Sequence, residues 1–426
     1  MSARAVICVA LAACGDNLPD HASAHFPAVP RDQLDLLILV DNSVSGLEHE
    51  LSFANGLPRL RAVLGQLDAM PSLHLGVATS DLGTTGSADP MPAPAIGGSA
   101  SGACHGAGDD GVFRTTGLRS GATFLVEEGG VINADAPFVD TVTKLVESAG
   151  GSGCGFEQHL AGIRRALTNP ANGAFLRPEA NLAIAILGDE DDCSVRDPAL
   201  FVAATPDLGP LDSFRCTRAG LVCNEDIVAT GAKTGCHSSQ DSRYVDDVAT
   251  FVDFVVGLKP DRRQVMAAAI VGDPSPVAVA SLVPQGGSES QPTLVHSCTW
   301  SISQTSSETA DPGVRDGQFA TSLGGPTLSI CHADLAEQLA DLGHAVKRLV
   351  GDPCLADEPV GSCTLTDEHA DGTTAALPAC PADGDCYALV ADVRACPDTA
   401  SHLRATITRV TAPPDGTFVT VRCTAP

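Results

Sequence analysis

Aromatic and basic residues are both scarce in this sequence. One Trp and two Tyr leave too few aromatic side chains for the stacking platforms that bind sugars or single-stranded nucleic acids. Lys and Arg number 25 against 52 Asp and Glu, and the resulting formal charge of −27 opposes binding to nucleic acids and to anionic lipids. The same charge favours cations or basic partners. After the first 13 residues no apolar run reaches eighteen residues, so the sequence predicts no membrane-spanning helix.

Cysteine, by contrast, is abundant, and its spacing lacks the paired C-x-x-C motifs of zinc ribbons. Setting aside Cys8 and Cys14 near the N-terminus leaves fourteen of the 16 cysteines, enough for seven disulfides. Cytosolic proteins rarely contain so many, so the count predicts an exported, disulfide-bonded protein. The close spacings of Cys216 with Cys223 and of Cys380 with Cys386 suggest local pairs.

The N-terminus has the order of features found in a secretory signal. Arg4 is followed by an apolar stretch over residues 5–13, which is predicted to be the signal peptide, and then by Cys14. The segment Leu11–Cys14 resembles a bacterial lipobox, which implies cleavage before Cys14 and lipidation of its sulfur. A plain secretory signal or a misplaced start codon is the alternative. Residues 14–30 are predicted to be a tether, and Gly15 after the cysteine favours the outer membrane or cell surface as the location.

Buried apolar runs alternate with amphipathic segments along residues 31–352. This alternation predicts an α/β domain with a doubly wound, mostly parallel sheet flanked by helices. Insertions are expected at about 82–137, 195–242 and 273–330, the last of them irregular. The cysteine-rich residues 353–426 are predicted to form a small β module. The expected strands cover 34–40, 73–81, 181–187 and 264–272, and the expected helices cover 46–68 (broken or kinked at Pro58), 138–148, 156–167, 245–257 and 332–349.

Oxygen-bearing side chains follow the first predicted strand at alternate positions. Asp41, Ser43 and Ser45 form a D-x-S-x-S pattern whose oxygens suit Mg²⁺ or Ca²⁺ rather than zinc or copper. Asp81 and Asp189 end two further strands, and parallel strands would bring these carboxylates to one edge of the sheet. Two alternatives remain open: the serines cap the following helix without metal, and residues 189–192 form a solvated turn or a separate Ca²⁺ site.

These motifs together resemble the von Willebrand factor A (VWA) domain and, within that family, the cysteine-rich A-domain lipoproteins of myxobacteria. The resemblance covers roughly residues 32–352 and depends on 37–45, 76–83, 153–158 and 186–194. It implies a metal-ion-dependent adhesion site (MIDAS). In such a site Ser43 and Ser45 bind Mg²⁺, with Ca²⁺ or Mn²⁺ as alternatives. Asp41 and Asp189 bind the ion directly or through water, and an open coordination position accepts a partner's carboxylate.

The sequence departs from the family pattern in the loop that usually supplies a Thr. Cys154 stands nearest to that position, so either Glu157 replaces the Thr or the remaining ligand is water. A disulfide between Cys154 and Cys193 would join the two loops that frame the site. Asp81 is interpreted as a hydrogen-bonding neighbour of the site, and Asp191 as a further candidate ligand.

The expected function is metal-bridged binding of a protein or extracellular-matrix ligand by a lipid-anchored, adhesion-like protein of the cell surface, without catalysis. A structural envelope protein with a decayed metal site is one alternative. A serine hydrolase is another, with Ser43 as nucleophile, but the G-x-S-x-G elbow is absent and His49 is expected to point elsewhere.

Overall fold

The computed structural model describes residues 22–89, 91–97, 103–202, 205–283, 290–301, 307–355, 362–397, 399 and 401–423. The predicted signal peptide, Cys14 and the first part of the tether lie outside these residues. The described helices are α1 (Leu47–Leu64), α2 (Phe138–Glu147), α3 (His159–Thr168), α4 (Phe214–Gly220), α5 (Val248–Val256), α6 (Val314–Ser322) and α7 (Ala336–Val350). None of them is long and apolar enough to cross a membrane.

The described residues also form twenty strands. They are β1 (Ala22–Pro27), β2 (Gln33–Val40), β3 (Ser72–Thr79), β4 (Leu125–Glu128), β5 (Val131–Ile132), β6 (Asn181–Leu187), β7 (Leu221–Val222), β8 (Gly231–Lys233), β9 (His237–Ser238), β10 (Val265–Val271), β11 (Val277–Leu282), β12 (Gln291–Val295), β13 (Cys298–Ser301), β14 (Ser307–Ala310), β15 (Thr327–Ser329), β16 (Cys363–Glu368), β17 (Thr374–Leu377), β18 (Cys386–Ala391), β19 (Leu403–Thr408) and β20 (Phe418–Cys423).

A seven-stranded sheet in the order β15-β10-β6-β2-β3-β4-β5 forms the centre of the α/β domain. The first five strands of this order are parallel, and β4 and β5 add an antiparallel edge. The prediction of a mostly parallel sheet is therefore confirmed. Residues 36–40 of β2, residues 182–187 of β6 and all of β10 are unbroken apolar runs because helices cover both faces of these strands.

Helices pack on both faces of this sheet, as its doubly wound topology requires. Leu36 and Ile38 of β2 face a core formed with α1, α2 and α7. Leu37 and Leu39 point the opposite way, into a core formed with α3, α5 and α6. The period-two alternation of side chains along a strand explains why neighbouring leucines serve different cores.

Helix α1 continues through Pro58, so the predicted break at this residue is wrong, whereas the alternative of a kink stays a prediction. A proline inside a helix costs roughly 3 kcal/mol because it removes a hydrogen bond and crowds the preceding turn. Close packing against α7 offsets this cost. Gly56 of α1 and Gly343 of α7 let the two helices approach closely. A Cβ added at Gly56 would lie about 3 Å from Leu335 and Leu339, and one added at Gly343 would lie about 3 Å from Val63.

The second half of the predicted tether forms part of a sheet. Residues 22–27 are strand β1, which pairs antiparallel with β20 of the C-terminal module. Phe26 is buried there against Val419 and Val421, and this apolar contact explains why the segment folds back instead of extending. The C-terminal module is a disulfide-bonded β structure, with a sheet in the order β1-β20-β16-β17 and a hairpin of β18 and β19.

The insertion at 273–330, which was expected to be irregular, contains regular elements that the domain needs. It supplies strands β11 to β15 and helix α6. Strand β15 pairs with β10 as the edge of the central sheet, and α6 buries Phe319 on one of its faces. The prediction failed here because these strands are short and carry polar residues.

Seven disulfides join all fourteen remaining cysteines, and the predicted Cys154–Cys193 bridge is not among them. The long insertion after β3 folds back over the site edge and places Cys104 beside Cys154, while helix α4 brings Cys216 to Cys193. The predicted Cys380–Cys386 pair is confirmed. The predicted Cys216–Cys223 pair is wrong, because Cys216 bonds to Cys193 and Cys223 bonds to Cys236. The seven bridges are Cys104–Cys154, Cys193–Cys216, Cys223–Cys236, Cys298–Cys331, Cys354–Cys396, Cys363–Cys423 and Cys380–Cys386.

Candidate metal centre

A crevice opens where the chain changes direction across the sheet. From β2 the chain passes to β3 on one side, whereas from β6 it passes to β10 and β15 on the other. The connections leaving β2 and β6 therefore diverge at the carboxyl ends of these neighbouring strands, which is where open α/β sheets bind ligands. Asp41 follows β2 directly, and Asp189 lies two residues beyond the end of β6.

The loop after β2 gathers three oxygen-bearing side chains. The Asp41 backbone N–H donates to the carbonyl of Leu187 at 2.8 Å, which holds this loop against the end of β6. The Ser43 N–H donates to Asp41 Oδ1 at 2.7 Å, and the hydroxyls of Ser43 and Ser45 lie 3.0 Å apart. Gly46 is required by the tightness of the turn, because a Cβ there would lie 2.6 Å from the Asp41 carbonyl oxygen.

Asp189 completes this group from the neighbouring strand. Its carboxylate interacts with the side chains of Asp41 and Ser45, and its Oδ2 is 3.7 Å from Nε2 of His49. Burial, followed by the charge of Asp189, raises the pKa of Asp41 to about 7. Burial favours a raised pKa at Asp189, but the interactions of its carboxylate with His49, Asp41 and Ser45 outweigh burial and hold the pKa of Asp189 below its usual range.

Two carboxylate oxygens in this cluster have no hydrogen-bond partner among the described residues. They are Asp41 Oδ2 and Asp189 Oδ1, and both are buried. Buried and unpaired anionic oxygens are costly in the absence of a compensating charge. Together with the hydroxyls of Ser43 and Ser45, they form a set of hard oxygen donors of the kind that Mg²⁺ and Ca²⁺ prefer. The residues present therefore fit a divalent cation.

Further acids surround this pair, and two of them, Glu50 and Glu190, are not among the predicted site residues. Glu157 is 2% exposed, and burial, then Glu190, raises its pKa well above the usual range. Burial, then Asp311, raises the pKa of Glu190 to about 8. Glu50 has two buried, unpartnered oxygens, and burial, then Asp41, raises its pKa to about 8. Glu50 lies in no recognised motif, and although Glu190 directly follows Asp189, only the fold shows that both carboxyl groups are close to the site.

Asp81 and Asp191 have other contacts. Asp81 Oδ1 accepts the Gly83 N–H at 2.8 Å, in a turn of the insertion that follows β3. Asp191 Oδ1 accepts the N–H groups of Arg315 and Asp316 at 2.8 and 3.3 Å, which satisfies donors at the start of α6. The structure thus brings Asp41, Ser43, Ser45 and Asp189 together, with Glu157 near enough to Asp41 for their charges to interact, and places Asp191 at a helix N-terminus.

A second group of potential ligands lies buried behind Asp41. His159 Nδ1 lies 2.8 Å from Asp316 Oδ2, and Asp192 lies close to both. Although burial opposes its charge, the Asp316 carboxylate raises the pKa of His159 to about 10. Asp192 already accepts hydrogen bonds from Leu160, Ser194 and Arg315. This group is therefore a hydrogen-bonded support for the loops at the sheet edge.

Backbone hydrogen bonds and disulfides fix the loops around the crevice. The N–H groups of Gly153, Cys193 and Asp311 donate to the carbonyls of Asn42, Glu157 and Asp189 respectively, each at 2.7 Å. Two of these loops also carry the Cys104–Cys154 and Cys193–Cys216 bridges. The cysteines beside the site thus hold the loops in place, although through different partners than expected.

Comparisons with known proteins found similarity only among solved structures. No protein-family model and no curated protein matches the chain. A von Willebrand factor type A protein from Catenulispora acidiphila is 10% identical, with a TM-score of 0.33, over 95% of this chain and 63% of that one. The pilus adhesin SpaC from Lactobacillus rhamnosus GG is 10% identical, with a TM-score of 0.33, over 94% of this chain and 38% of that one. This chain thus spans less than two thirds of either protein.

Proposed function

We propose that this chain is a cell-surface binding protein that holds a divalent cation at the Asp41–Asp189 crevice and uses it to bind a carboxylate of a protein or matrix partner. Asp41, Ser43, Ser45 and Asp189 hold the ion, with Glu157 in the place of the missing Thr. The cation supplies a positive charge that joins two anionic groups. The chain's own residues orient it, exclude water from its buried side and leave Ser45 exposed to the partner.

The pair of buried, unpartnered oxygens on Asp41 and Asp189 is the observation that supports this proposal most directly. Two carboxylates in contact with each other need a proton or a cation between them. The neighbouring hydroxyls of Ser43 and Ser45 favour a cation, because they add neutral oxygen ligands at the same point.

The contacts of Ser43 favour binding over hydrolysis. A serine nucleophile needs a base within hydrogen-bonding reach. The hydroxyl of Ser43 is paired with Ser45, and the nitrogen Nε2 of the nearby His49 faces Asp189. We therefore propose a non-catalytic role, with lipidation at Cys14 holding the protein on the outer membrane or cell surface. A structural protein with a decayed site is the alternative that the following experiment tests.

Mn²⁺ uptake by the purified chain, followed by electron paramagnetic resonance, tests the cation site. We expect one saturable ion per chain that Mg²⁺ displaces. The Ser45→Ala variant should bind it about tenfold more weakly, because one ligand oxygen is lost. Ser52→Ala, in helix α1 where the hydroxyl donates to the Ala333 carbonyl, serves as the control and should bind as the wild type does. If the wild type takes up no Mn²⁺, or if the Ser45→Ala and Ser52→Ala variants bind it equally tightly, the alternative of a structural protein with a decayed site is supported.

Stabilisation by Mg²⁺ is expected to grow as the pH rises from about 5 to about 8. In the cation-free protein the pKa of Asp41 is about 7, above its unfolded value of 3.8, so its contribution to stability is full below pH 4 and is lost as the pH rises through 7. Mg²⁺ competes with that proton and replaces it. Thermal unfolding with Mg²⁺ and with EDTA, at several pH values, measures the difference. A Mg²⁺ effect that is constant with pH would contradict the prediction.

A further inference from the structure

An apolar stripe borders the proposed cation site on its open side. Val44, Leu47 and Leu51 are 52%, 44% and 40% exposed, and they follow one another at helical spacing from the D-x-S-x-S loop into α1. Ser45, the exposed member of the ligand group, lies between the first two of them in the sequence. The stripe therefore begins at the point where a partner would reach the cation.

Packing within the chain does not explain this stripe. Helix α1 buries its opposite face, including Phe53, Leu57 and Leu60, against the sheet and α7. In the α-helices of the described residues, no large apolar side chains other than Leu47 and Leu51 are exposed to this extent. Surface helices ordinarily present polar side chains to water, and contiguous exposed apolar residues mark interaction sites.

We propose that the partner presents its carboxylate beside aliphatic or aromatic side chains, so that the acid reaches the cation while its apolar neighbours cover Val44, Leu47 and Leu51. This proposal rests on the proposed function and specifies the partner's chemistry. Charge complementarity determines which partner can cover the stripe. The chain's formal charge of −27 repels any acid of the partner that does not contact the cation, and the stripe supplies contact area that requires no charge.

Selection of peptides on the full chain tests this inference. A phage library of random linear peptides is bound in Mg²⁺ and eluted with EDTA, and the selected peptides are synthesised for affinity measurements. We expect them to share an Asp or Glu within two positions of Leu, Ile, Phe or Trp. Their affinity for the Leu47→Ser/Leu51→Ser double variant should fall about tenfold or more. Val131→Ser, an exposed apolar residue on edge strand β5, is the matched control and should bind as the wild type does.

Mn²⁺ uptake measured on the same variants separates this inference from the proposed function. The double variant should bind Mn²⁺ as tightly as the wild type, because neither leucine belongs to the ligand group. If the wild type binds Mn²⁺ but the EDTA-eluted peptides lack apolar neighbours, or bind the double variant equally well, the stripe is not a binding surface. If no peptide is selected and Mg²⁺ makes the chain self-associate, the occupant is a second copy and the proposal is overturned. Absence of Mn²⁺ uptake by the wild type overturns the proposed function itself.

Discussion

Replacing Asp41 with asparagine is expected to stabilise the cation-free protein and to abolish its stabilisation by Mg²⁺. The amide keeps the oxygen that accepts the Ser43 N–H, and it places an N–H donor where Asp41 Oδ2 has no partner beside Asp189. A pKa raised from 3.8 to about 7 corresponds to roughly 4 kcal/mol of unfavourable interaction for the ionised carboxylate. Since local relaxation recovers part of this energy, we expect a gain on the order of 2 kcal/mol at pH 8 in EDTA.

The opposite signs of the two effects make this variant diagnostic. Chemical unfolding with EDTA measures the gain in stability, and the same experiment with Mg²⁺ measures the loss of the cation effect. Asp140→Asn, which removes an exposed carboxylate from the first turn of α2, serves as the control and should change neither result. An Asp41→Asn protein that is less stable in EDTA would show that the ionised Asp41 carboxylate does not destabilise the cation-free protein. One that still responds to Mg²⁺ would show that this carboxylate does not bind the cation.

Replacing Arg315 with methionine is expected to destabilise the protein by about 3–5 kcal/mol, because it leaves a buried carboxylate without its charge partner. The guanidinium is 1% exposed and lies 2.8 Å from Asp192 Oδ2. It also donates to the Asp192 and Asp246 carbonyls and to the hydroxyl of Ser238, and it thereby joins the loop after β6 to the segment before α5. Methionine fills similar volume but satisfies none of these acceptors.

Chemical unfolding with the disulfides intact measures this loss. Arg243, whose side chain is exposed and pairs with Asp197 at 3.1 Å, provides the matched control. Arg243→Met should leave the unfolding midpoint within experimental error, because water solvates both partners once the pair is lost. If Arg315→Met unfolds at the wild-type midpoint, the buried network does not support the sheet edge as we describe.

The long apolar strands and the residues that end them could be predicted from the sequence. Strands β2, β6 and β10 are buried on both faces, so their apolar runs are unambiguous, and parallel pairing then brings Asp41 and Asp189 to one edge. Glu50 and Glu190 could not be identified in this way. Their importance depends on burial and on neighbours from other parts of the chain, neither of which has a local sequence pattern.

Long-range pairing likewise could not be predicted. Cys104 reaches Cys154 only because the intervening insertion folds back over the sheet edge, and β1 finds β20 from the opposite end of the chain. Pro58 does not break α1 for a related reason: the packing of α1 on α7 outweighs the tendency of proline to end a helix. In each case contacts distant in sequence determined the result.

The early position of β1 and β2 has a mechanical consequence. A force applied between Ala22 and a partner at the crevice would act along one short segment, through β1, residues 28–32 and β2 to Asp41. Strand β2 lies between β3 and β6, hydrogen-bonded to both along its whole length. Pulling it out would require all of these bonds to shear together, whereas the insertions and most of the C-terminal module would stay outside the line of tension.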